Sequence, residues 1–320
     1  MKRISLLLGI AAAIAFGGGA ALAQGDYPNQ MVRIVVPFSA GSITDGLARI
    51  LADKLTTMWK QQVIVENRAG LPGTTGVAKA PPDGYTLMLT SNGHTIAGVI
   101  NKNLQFDPVK DFAGVSQVAA VPMVMIVPPD FPAKSLKDFL AMAKEKPGQL
   151  NFSSAGVAST SYLSAEIMRQ NAGVNMVHVP FKGAPEAVTS VVRGDTQMYF
   201  APIPTAQELG GAGKVKVMAI NSSKRMPQLP DTPTVAESGL PDYKYESWFG
   251  VMAPAGTPKP ILDKVSKDIA VALAMPDVKE KLEVQGSFAA PTTPEQFDAI
   301  IKNDTERYGK ILRDAGVGTN

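Results

Sequence analysis

Short hydrophobic runs rich in β-branched residues alternate along the chain with longer segments whose apolar positions recur every three or four residues. We predict strands in RIVVPF, QQVIVEN, YTLMLTS, VPMVMIVP, QLNFSS, VNMVHVPF, TQMYFAP and VKVMAIN. Helices are predicted in LARILADKL, SLKDFLAMAKE, SYLSAEIMRQ and APEAVTSVVRG, and after residue 250 in PKPILDKVSKDIAVALA, DVKEKLEVQ and PEQFDAIIKNDTERYGKILRDAG. Turns are predicted at GLPGTTG, PPDGYT and PQLPDTP. The alternation predicts an α/β fold in which crossover helices join parallel strands.

One combination of strand, small polar loop and amphipathic helix occurs twice. The first is RIVVPF-SAGSITD-GLARILADKL and the second is LNF-SSAGVASTS-YLSAEIMRQNAG. In the first helix Leu47, Leu51 and Leu55 share one face, as Leu163 and Ile167 do in the second. A chain of 320 residues is also long for one compact core. We therefore predict two similar α/β lobes.

The two loops are candidate anion sites. A helix N-terminus carries unpaired N–H groups and the positive end of the helix dipole, and behind a parallel strand it attracts groups such as carboxylates. In the first loop Gly41 permits a close backbone approach, and the hydroxyls are those of Ser39, Ser42 and Thr44. The second loop surrounds Gly156 with Ser153, Ser154, Ser159, Thr160 and Ser161. Neither loop contains lysine or arginine, which favours a carboxylate over a phosphate.

A second interpretation of the same loops is purely structural. Serine and threonine before a helix are ordinary N-caps, and Asp45 is in position to stabilise the first turn. The sequence leaves both interpretations open for each single hydroxyl. For the paired loops together we favour ligand binding, because both lobes would present donors to the cleft between them.

Other polar residues give weaker signals. Thr90, Ser91 and Asn92 follow the strand in YTLMLTS, and His94 after them is interpreted either as an acid contact or as a solvated loop residue. His178 is expected to pack on its strand, and Lys182 either steers an anion or is simply exposed. The aromatic pair Trp248 and Phe249 is expected in a core or hinge.

The first residues have the pattern of a secretory signal peptide. Lys2 and Arg3 precede the apolar run SLLLGIAAAIAF, and Ala21–Ala23 forms an A-x-A cleavage site. The alternative, a transmembrane anchor, is disfavoured because the apolar run is short and interrupted by small residues. We predict a signal peptide over residues 1–23, cleaved near Ala23, and hence an exported protein.

Composition and motifs exclude several functional classes. The formal charge of +3 includes two signal-peptide residues, and no basic stripe suggests nucleic-acid binding. The chain has no cysteine and two histidines, which excludes disulfides and thiol chemistry and argues against a zinc site. The G-x-S-x-G, Walker and H-E-x-x-H motifs are missing. We predict no cofactor, no metal and no enzymatic activity, with a hydrolase of atypical triad as an alternative.

Five long motifs, in order, resemble one family. They are YPNQMVRIVVPFSAGSITDGLAR, VENRAGLPGTTGVAKAPPDGYTL, LNFSSAGVASTSYLSAE, VPFKGAPEAVTSVVRGDTQMYF and WFGVMAPAGTPKPI. Over nearly all of the mature chain the sequence resembles the Bug-type (Bordetella uptake gene) extracytoplasmic solute receptors. These receptors are the substrate-binding proteins of tripartite tricarboxylate transporters.

The resemblance implies a two-lobed periplasmic-binding-protein (Venus flytrap) fold, each lobe a mainly parallel sheet flanked by helices. Lobe one would comprise residues 26–125 plus 250–320, and lobe two residues 126–249. The ligand would be a carboxylate held in the cleft, partly through water, by residues 38–44 and 153–161. The expected ligand-binding residues are Phe38, Ser39, Ala40, Gly41, Ser42, Thr44, Thr90, Ser91, Asn92, Ser153, Ser154, Gly156, Ser159, Thr160, Ser161, Phe181, Lys182 and Ala201.

Two positions depart from the family pattern. The first loop has Gly41-Ser42 where relatives commonly have two glycines, and Ala201 stands where many relatives carry an aspartate that meets an amino group. We therefore expect a ligand without an ammonium group, and the few nearby charges favour a mono- or dicarboxylate, possibly aromatic, over a tricarboxylate. The expected protein is a periplasmic monomer that delivers this ligand to the transporter's membrane subunits. A receptor for a two-component sensor is the alternative.

Overall fold

The computed structural model describes residues 27–101, 103–157, 159–243, 245, 247–314 and 316. The predicted signal peptide and its cleavage site lie outside these residues. The described strands are β1 (Val32–Val36), β2 (Val63–Asn67), β3 (Thr86–Ser91), β4 (Phe112–Ala120), β5 (Met123–Val127), β6 (Asn151–Ser154), β7 (Val177–Pro180), β8 (Tyr199–Pro202), β9 (Lys216–Ile220), β10 (Trp248–Pro254) and β11 (Phe288–Ala289).

The helices cover both sheet systems. They are α1 (Ile43–Trp59), α2 (Leu71–Ala78), α3 (Ala97–Ile100), α4 (Leu136–Glu145), α5 (Thr160–Ala172), α6 (Ala184–Val192), α7 (Ile203–Gly211), α8 (Lys259–Ala274), α9 (Pro276–Val284) and α10 (Pro294–Asp314). A short 3-10 helix, Asn92–Ile96, precedes α3. The α/β prediction is confirmed.

The first sheet has six strands in the order β11-β4-β10-β3-β1-β2. Its β1, β2 and β3 are parallel, so the loops that follow these three strands leave from the same edge. The strands β10, β4 and β11 are antiparallel to their neighbours. The first sheet is therefore mixed.

The second strand system contains β8-β5-β9, which are antiparallel, and the parallel pair β6-β7. Backbone hydrogen bonds connect the two parts, from Ser153 N–H to the Met198 carbonyl at 2.9 Å and from Gln197 N–H to the Asn151 carbonyl at 3.3 Å. The expectation of mainly parallel sheets is therefore wrong for both systems. Apolar patterning locates a strand but does not specify the direction of its neighbour, because either pairing buries the same side chains.

The chain passes from the first sheet to the second between Ala120 and Met123, and returns between Ile220 and Trp248. A buried asparagine, Asn221, organises this crossing. Its side-chain oxygen accepts the Met123 N–H at 2.7 Å, and its Nδ2 donates to hydroxyls on α5 and beside β10 at 2.9 and 3.3 Å. A buried amide with partners on three segments fixes how those segments meet.

The core under the first sheet depends on close packing of α10. Phe297 is fully buried, and a Cβ added at Gly250 of β10 would lie 2.2 Å from its ring. The neighbouring Trp248 packs edge-on against the same ring, with centroids 5.0 Å apart, and donates its indole N–H to Asp304 at 2.7 Å. The expectation that Trp248 and Phe249 belong to a core is confirmed, since both are buried.

The segment GLPGTTG was predicted as a turn, and this is wrong. It forms most of α2, with Pro72 in the first turn, where proline is well tolerated. Its Gly73 packs directly against the connection between β2 and α2: an added Cβ would meet the Arg68 carbonyl at 2.0 Å. The glycine that suggested a turn therefore permits a close approach between the helix and the segment that leads into it.

Candidate functional site

The first loop leaves the carboxyl end of β1 and enters α1 through a reciprocal cap. Ser42 is the N-cap, and its hydroxyl accepts the Asp45 N–H at 3.2 Å. In return, the Asp45 carboxylate accepts the Gly41 N–H at 2.9 Å. Gly41 has φ +79°, a conformation that favours glycine, and the cap interpretation of Ser42 and Asp45 is confirmed.

Asp45 also joins this loop to the next strand. Its other carboxylate oxygen accepts the Asn67 Nδ2 at 3.0 Å, and the same amide nitrogen lies 3.2 Å from the Phe38 carbonyl. Arg49 donates its Nε to Asp45 at 3.1 Å. Burial alone would raise the pKa of Asp45, but the hydrogen bonds from Arg49, Gly41 and Asn67 together hold it below its ordinary value. The carboxylate is thus a charged anchor for the loop.

This arrangement decides which groups of the first loop face outward. Ser39, Ala40 and Gly41 are exposed, Phe38 is half-buried, and the Thr44 side chain is buried. Among the described residues, no acceptor is recorded for the backbone N–H groups of Ile43 and Thr44, as expected for the first turn of a helix. These N–H groups are donors that a bound anion would use.

The second loop, residues 155–159 after β6, is built from its own hydroxyl groups. Ser154 accepts the Gly156 N–H at 3.1 Å, and Ser161 accepts the Ala155 N–H at 3.1 Å. Ser159 is the N-cap of α5: its hydroxyl lies 2.6 Å from the Gly156 carbonyl and accepts the Tyr162 N–H at 3.2 Å. The structural interpretation therefore holds for these three serines, whose hydroxyls shape the loop.

Ser153 and Ala201 do not reach the loop surface. The Ser153 side chain is fully buried, and its hydroxyl donates to the Ala187 carbonyl at 3.1 Å. Ala201 is also fully buried, inside the apolar cluster beside β5. Both were predicted to contact ligand, and both are corrected here, because β6 and β8 are covered on both faces, so consecutive residues of each strand are buried.

The loop after β3 meets the start of α5. Asn92 Nδ2 lies 2.8 Å from the Tyr245 hydroxyl, and its Oδ1 accepts the Thr160 hydroxyl at 3.4 Å. Since β3 neighbours β1 in parallel, Asn92 and the first loop leave from the same edge of the first sheet. This edge therefore faces the N-terminus of α5, as the paired-loop prediction requires. Thr90 and Ser91, also predicted, are buried beside Asn92.

The remaining residues considered in the sequence analysis differ in burial and in contacts. His94 is buried, stacks on Phe106, and lies with its Nε2 2.8 Å from the Pro108 carbonyl, so both of its earlier interpretations are wrong. His178 packs on its strand as predicted. Lys182 is exposed, with its backbone N–H donating to Glu186 at 3.2 Å. Phe181 is half-buried against the apolar cluster that contains Ala201.

Sequence reasoning missed two polar residues near the first loop. Asn67 is the last residue of a predicted strand, which is the signal that would have found it. Gln285 gives no local signal: it lies far along the chain, and an added Cβ at Gly46 of α1 would meet its Nε2 at 2.9 Å. The Gln285 Oε1 is buried and has no hydrogen-bond partner among the described residues.

Neither a metal centre nor a membrane span emerges from the described part of the chain. No group of three acidic or histidine side chains there is arranged to hold a metal ion. No helix in the same residues combines the length and apolar character needed to cross a bilayer.

Comparison with known proteins agrees with this geometry. Residues 47–317 match the family model described as the tripartite tricarboxylate transporter family receptor. The chain belongs to this family. The resemblance to the Bug-type receptors stated from the sequence is confirmed.

Three solved structures share the receptor fold. The periplasmic binding protein BugD is 33% identical, with a TM-score of 0.79 over 91% of this chain and 99% of BugD. Rpa4515 of R. palustris, solved with adipate, is 31% identical, with a TM-score of 0.81 over 91% of this chain and 99% of that protein. MatC of Rhodopseudomonas palustris, solved with bound malate, is 32% identical, with a TM-score of 0.78 over 89% of this chain and 100% of MatC. The periplasmic-binding-protein fold of this receptor is therefore established.

Proposed function

We propose that this receptor binds a small mono- or dicarboxylate between residues 38–44 and the N-terminus of α5. The observation that carries the proposal is the Asn92–Thr160 contact, which places the capped N-terminus of α5 against the sheet edge from which the loop before the capped helix α1 also leaves. Each N-terminus keeps backbone N–H groups directed away from its own helix, and both dipoles favour negative charge. A ligand that contacts both would favour a closed arrangement of the two lobes.

The proposed ligand class follows from the charge of these loops. Residues 38–44 and 153–161 contain no lysine or arginine, and the one acidic side chain nearby, Asp45, is already engaged by Arg49, Gly41 and Asn67. Neutral donors match one or two carboxylates better than three. Neither segment contains an aspartate or glutamate that could meet an ammonium group. The adipate of Rpa4515 and the malate of MatC belong to the same class.

We further propose a periplasmic receptor with two lobes that delivers its ligand to the membrane subunits of a transporter. The signal-peptide pattern and the family support this location and partner. The sheet crossings at 120–123 and 220–248 support a lobe division close to residues 26–125 plus 250–320 and 126–249. We propose a monomer as the working state.

A hydrolase is the competing proposal, since Ser154 Oγ lies 2.7 Å from His178 Nε2. Two observations weigh against it. The Ser154 side chain is fully buried, so a substrate carbonyl has no access to its oxygen. Among the described residues no carboxylate is recorded within hydrogen-bond distance of His178, whereas the base of a catalytic triad is oriented by such a group. We propose that the receptor has no hydrolytic activity.

A thermal-shift screen tests ligand binding. The panel holds malate, adipate, citrate, benzoate and glutamate, with protein refolded from denaturant to remove any carried ligand. A carboxylate at 100 times its Kd should stabilise the protein by about 2.7 kcal/mol. We expect a shift with a mono- or dicarboxylate and none with glutamate. A shift with glutamate alone, or with no acid, would contradict the proposal.

Two serine variants locate the site. Ser159→Ala removes the cap of α5, and Ser135→Ala removes the matching cap of α4, where Ser135 accepts the Asp138 N–H at 3.1 Å. The helix α4 follows β5, whereas α5 follows β6, so Ser135 caps a different helix start from the one in the proposed site. Each variant should lose about 1 kcal/mol of stability. Only Ser159→Ala should weaken carboxylate binding; equal affinities would place the ligand elsewhere.

A further inference from the structure

The second loop is joined to a histidine on the neighbouring strand. The parallel register pairs Phe152 with His178, two residue pairs before the end of β6, and this brings the imidazole beside Ser154. The Ser154 Oγ and His178 Nε2 atoms are 2.7 Å apart. The imidazole is held between two rings, with centroids 4.9 Å from Phe152 and 4.7 Å from Tyr162. Its orientation is therefore fixed by packing as well as by the hydrogen bond.

Counting protons assigns the direction of this hydrogen bond. A backbone N–H only donates, so Ser154 Oγ is the acceptor in its 3.1 Å contact with Gly156. The serine has one proton to give, and His178 Nε2 is its recorded partner among the described residues. The serine proton, the serine oxygen and Nε2 are all satisfied when the serine donates and Nε2 carries no proton. His178 is then the neutral tautomer with its proton on Nδ1.

His94 gives the opposite result in the same chain. Its Nε2 lies 2.8 Å from the Pro108 carbonyl, which only accepts, so this nitrogen must carry a proton. The sequence contains two histidines in all. The protein therefore holds one histidine of each tautomer, and each serves as the internal reference for the other.

We propose that His178 is a positioning residue: as the Nδ1–H tautomer it accepts the Ser154 hydroxyl proton and thereby holds the second loop in its ligand-binding conformation. This inference rests on the proposed carboxylate site. The route to that site is short. Ser154 fixes Gly156, the Gly156 carbonyl accepts from the Ser159 side chain at 2.6 Å, and Ser159 caps α5.

Burial keeps the imidazole neutral at pH 7, against a small opposing effect of the nearby charges. Burial lowers the pKa of His178 to about 4, although the carboxylate of Glu166 on α5 raises it slightly. Glu166 is itself neutralised by Arg169, at 2.6 Å, and Tyr162 is the other titratable group on that helix facing the ring. Protonation of Nε2 would place two donors on one serine oxygen and leave the serine proton without its acceptor. The Ser154 hydroxyl would then have to turn toward another acceptor, which would weaken the hydrogen bond that it accepts from the Gly156 N–H.

The first test measures the tautomers directly. Nitrogen-15 NMR of histidine-labelled, ligand-free protein at pH 7 distinguishes protonated from unprotonated ring nitrogens, and His178→Phe assigns the two residues. We expect an unprotonated Nε2 for His178 and a protonated Nε2 for His94. A protonated Nε2 on His178 at pH 7 would overturn the inference whatever the protein binds.

The second test measures loop positioning with two substitutions at one residue. His178→Phe keeps an aromatic ring between Phe152 and Tyr162 but removes the acceptor, whereas the amide oxygen of His178→Gln reaches the Nε2 position. We expect His178→Phe to weaken malate or adipate binding about tenfold, the loss of one net hydrogen bond, and His178→Gln to restore most of it. The advantage of wild type over His178→Phe should disappear as the pH falls toward 4. Because this advantage is the ratio of two dissociation constants for the same ligand at the same pH, the titration of the ligand itself cancels.

The outcomes separate this inference from the proposed function. If wild type binds malate or adipate and both variants bind equally well, the positioning role is refuted and the site stands. If His178→Phe and His178→Gln are weakened alike, packing of the imidazole, not its acceptor, matters, and the inference fails. If refolded wild type binds no acid of the panel, the proposed function fails together with the positioning role. The NMR result then still decides the hydrogen bond.

Discussion

Replacing Asp45 with alanine tests the anchor of the first loop. The carboxylate accepts hydrogen bonds from Gly41 N–H at 2.9 Å, Asn67 Nδ2 at 3.0 Å and Arg49 Nε at 3.1 Å. Arg49 is more than half exposed, so water replaces the carboxylate as its partner. The contribution to stability therefore comes from the other two contacts, which join the loop to α1 and β2.

The magnitude follows from those two contacts. A hydrogen bond to a charged group contributes about 1.5–3 kcal/mol when its partner is buried. Gly41 is exposed, and its N–H regains water in the variant, whereas the half-buried Asn67 amide keeps only its 3.2 Å contact with the Phe38 carbonyl. We expect Asp45→Ala to lower the free energy of unfolding by about 1.5–3 kcal/mol, the contribution of the contact with Asn67. Carboxylate affinity should fall as well, because the loop loses its fixed geometry.

Urea unfolding at pH 7 and pH 3 measures this effect, with Asp53→Ala as the matched control. Asp53 lies on the same helix, its side chain is 65% exposed, and it reaches Lys281 only at 4.0 Å. The control should change stability by less than about 0.5 kcal/mol. The pKa of folded Asp45 lies below its ordinary value of 3.8, so its contribution is complete above that pH and is lost as the pH falls further. The Asp45→Ala deficit should therefore shrink at pH 3; a deficit equal to that of Asp53→Ala at pH 7 would refute the anchor.

Three further predictions concern the core, the buried histidine and the tryptophans. Gly250→Ala should destabilise the protein by about 1–3 kcal/mol in thermal unfolding, because its Cβ would meet a phenylalanine ring of α10, whereas Gly211→Ala, with open space around it, should not. Burial lowers the pKa of His94 to about 4 from 6.5, so folding stability should rise with pH between these values, and urea titrations of His94→Leu should show a smaller slope. We expect carboxylate binding to change the tryptophan fluorescence through Trp248, because this residue lies where the chain crosses between the two sheets. The change should survive Trp59→Phe and disappear in Trp248→Phe. The reverse result would place the ligand-induced movement away from this crossing.

The local elements of this receptor were largely readable from its sequence. The strand–loop–helix units of α1 and α5 were predicted within a few residues, because apolar spacing, serine caps and small loop residues act over a single helical turn. The elements that the sequence did not predict depend on a partner far away in the chain. The strands β4 and β10 were not predicted, because neither is flanked by a loop and helix pattern that would mark it. They are defined by pairing with each other across more than a hundred residues.

The candidate site shows the same division. The sequence located the two loops that precede α1 and α5, but it did not distinguish the roles of the individual serines. Ser153 turns into the core, Ser154 meets His178, and Ser159 caps α5, although all three belong to one short polar segment. The cap made by Ser159 is local, but the partners of Ser153 and Ser154 lie on other elements, the Ala187 carbonyl and the His178 ring, and local pattern carries no information about them.

The family, the α/β class and the two loops that precede α1 and α5 could all be predicted from the amino-acid sequence. Those features depend on composition and short-range periodicity, which every stretch of chain carries with it. The direction of the strands, the burial of His94 and Ala201, and the contact of Asn92 with Thr160 became known only from the folded chain. Pairing direction, burial and hydrogen-bond partners are properties of two segments at once, and folding alone brings those segments together.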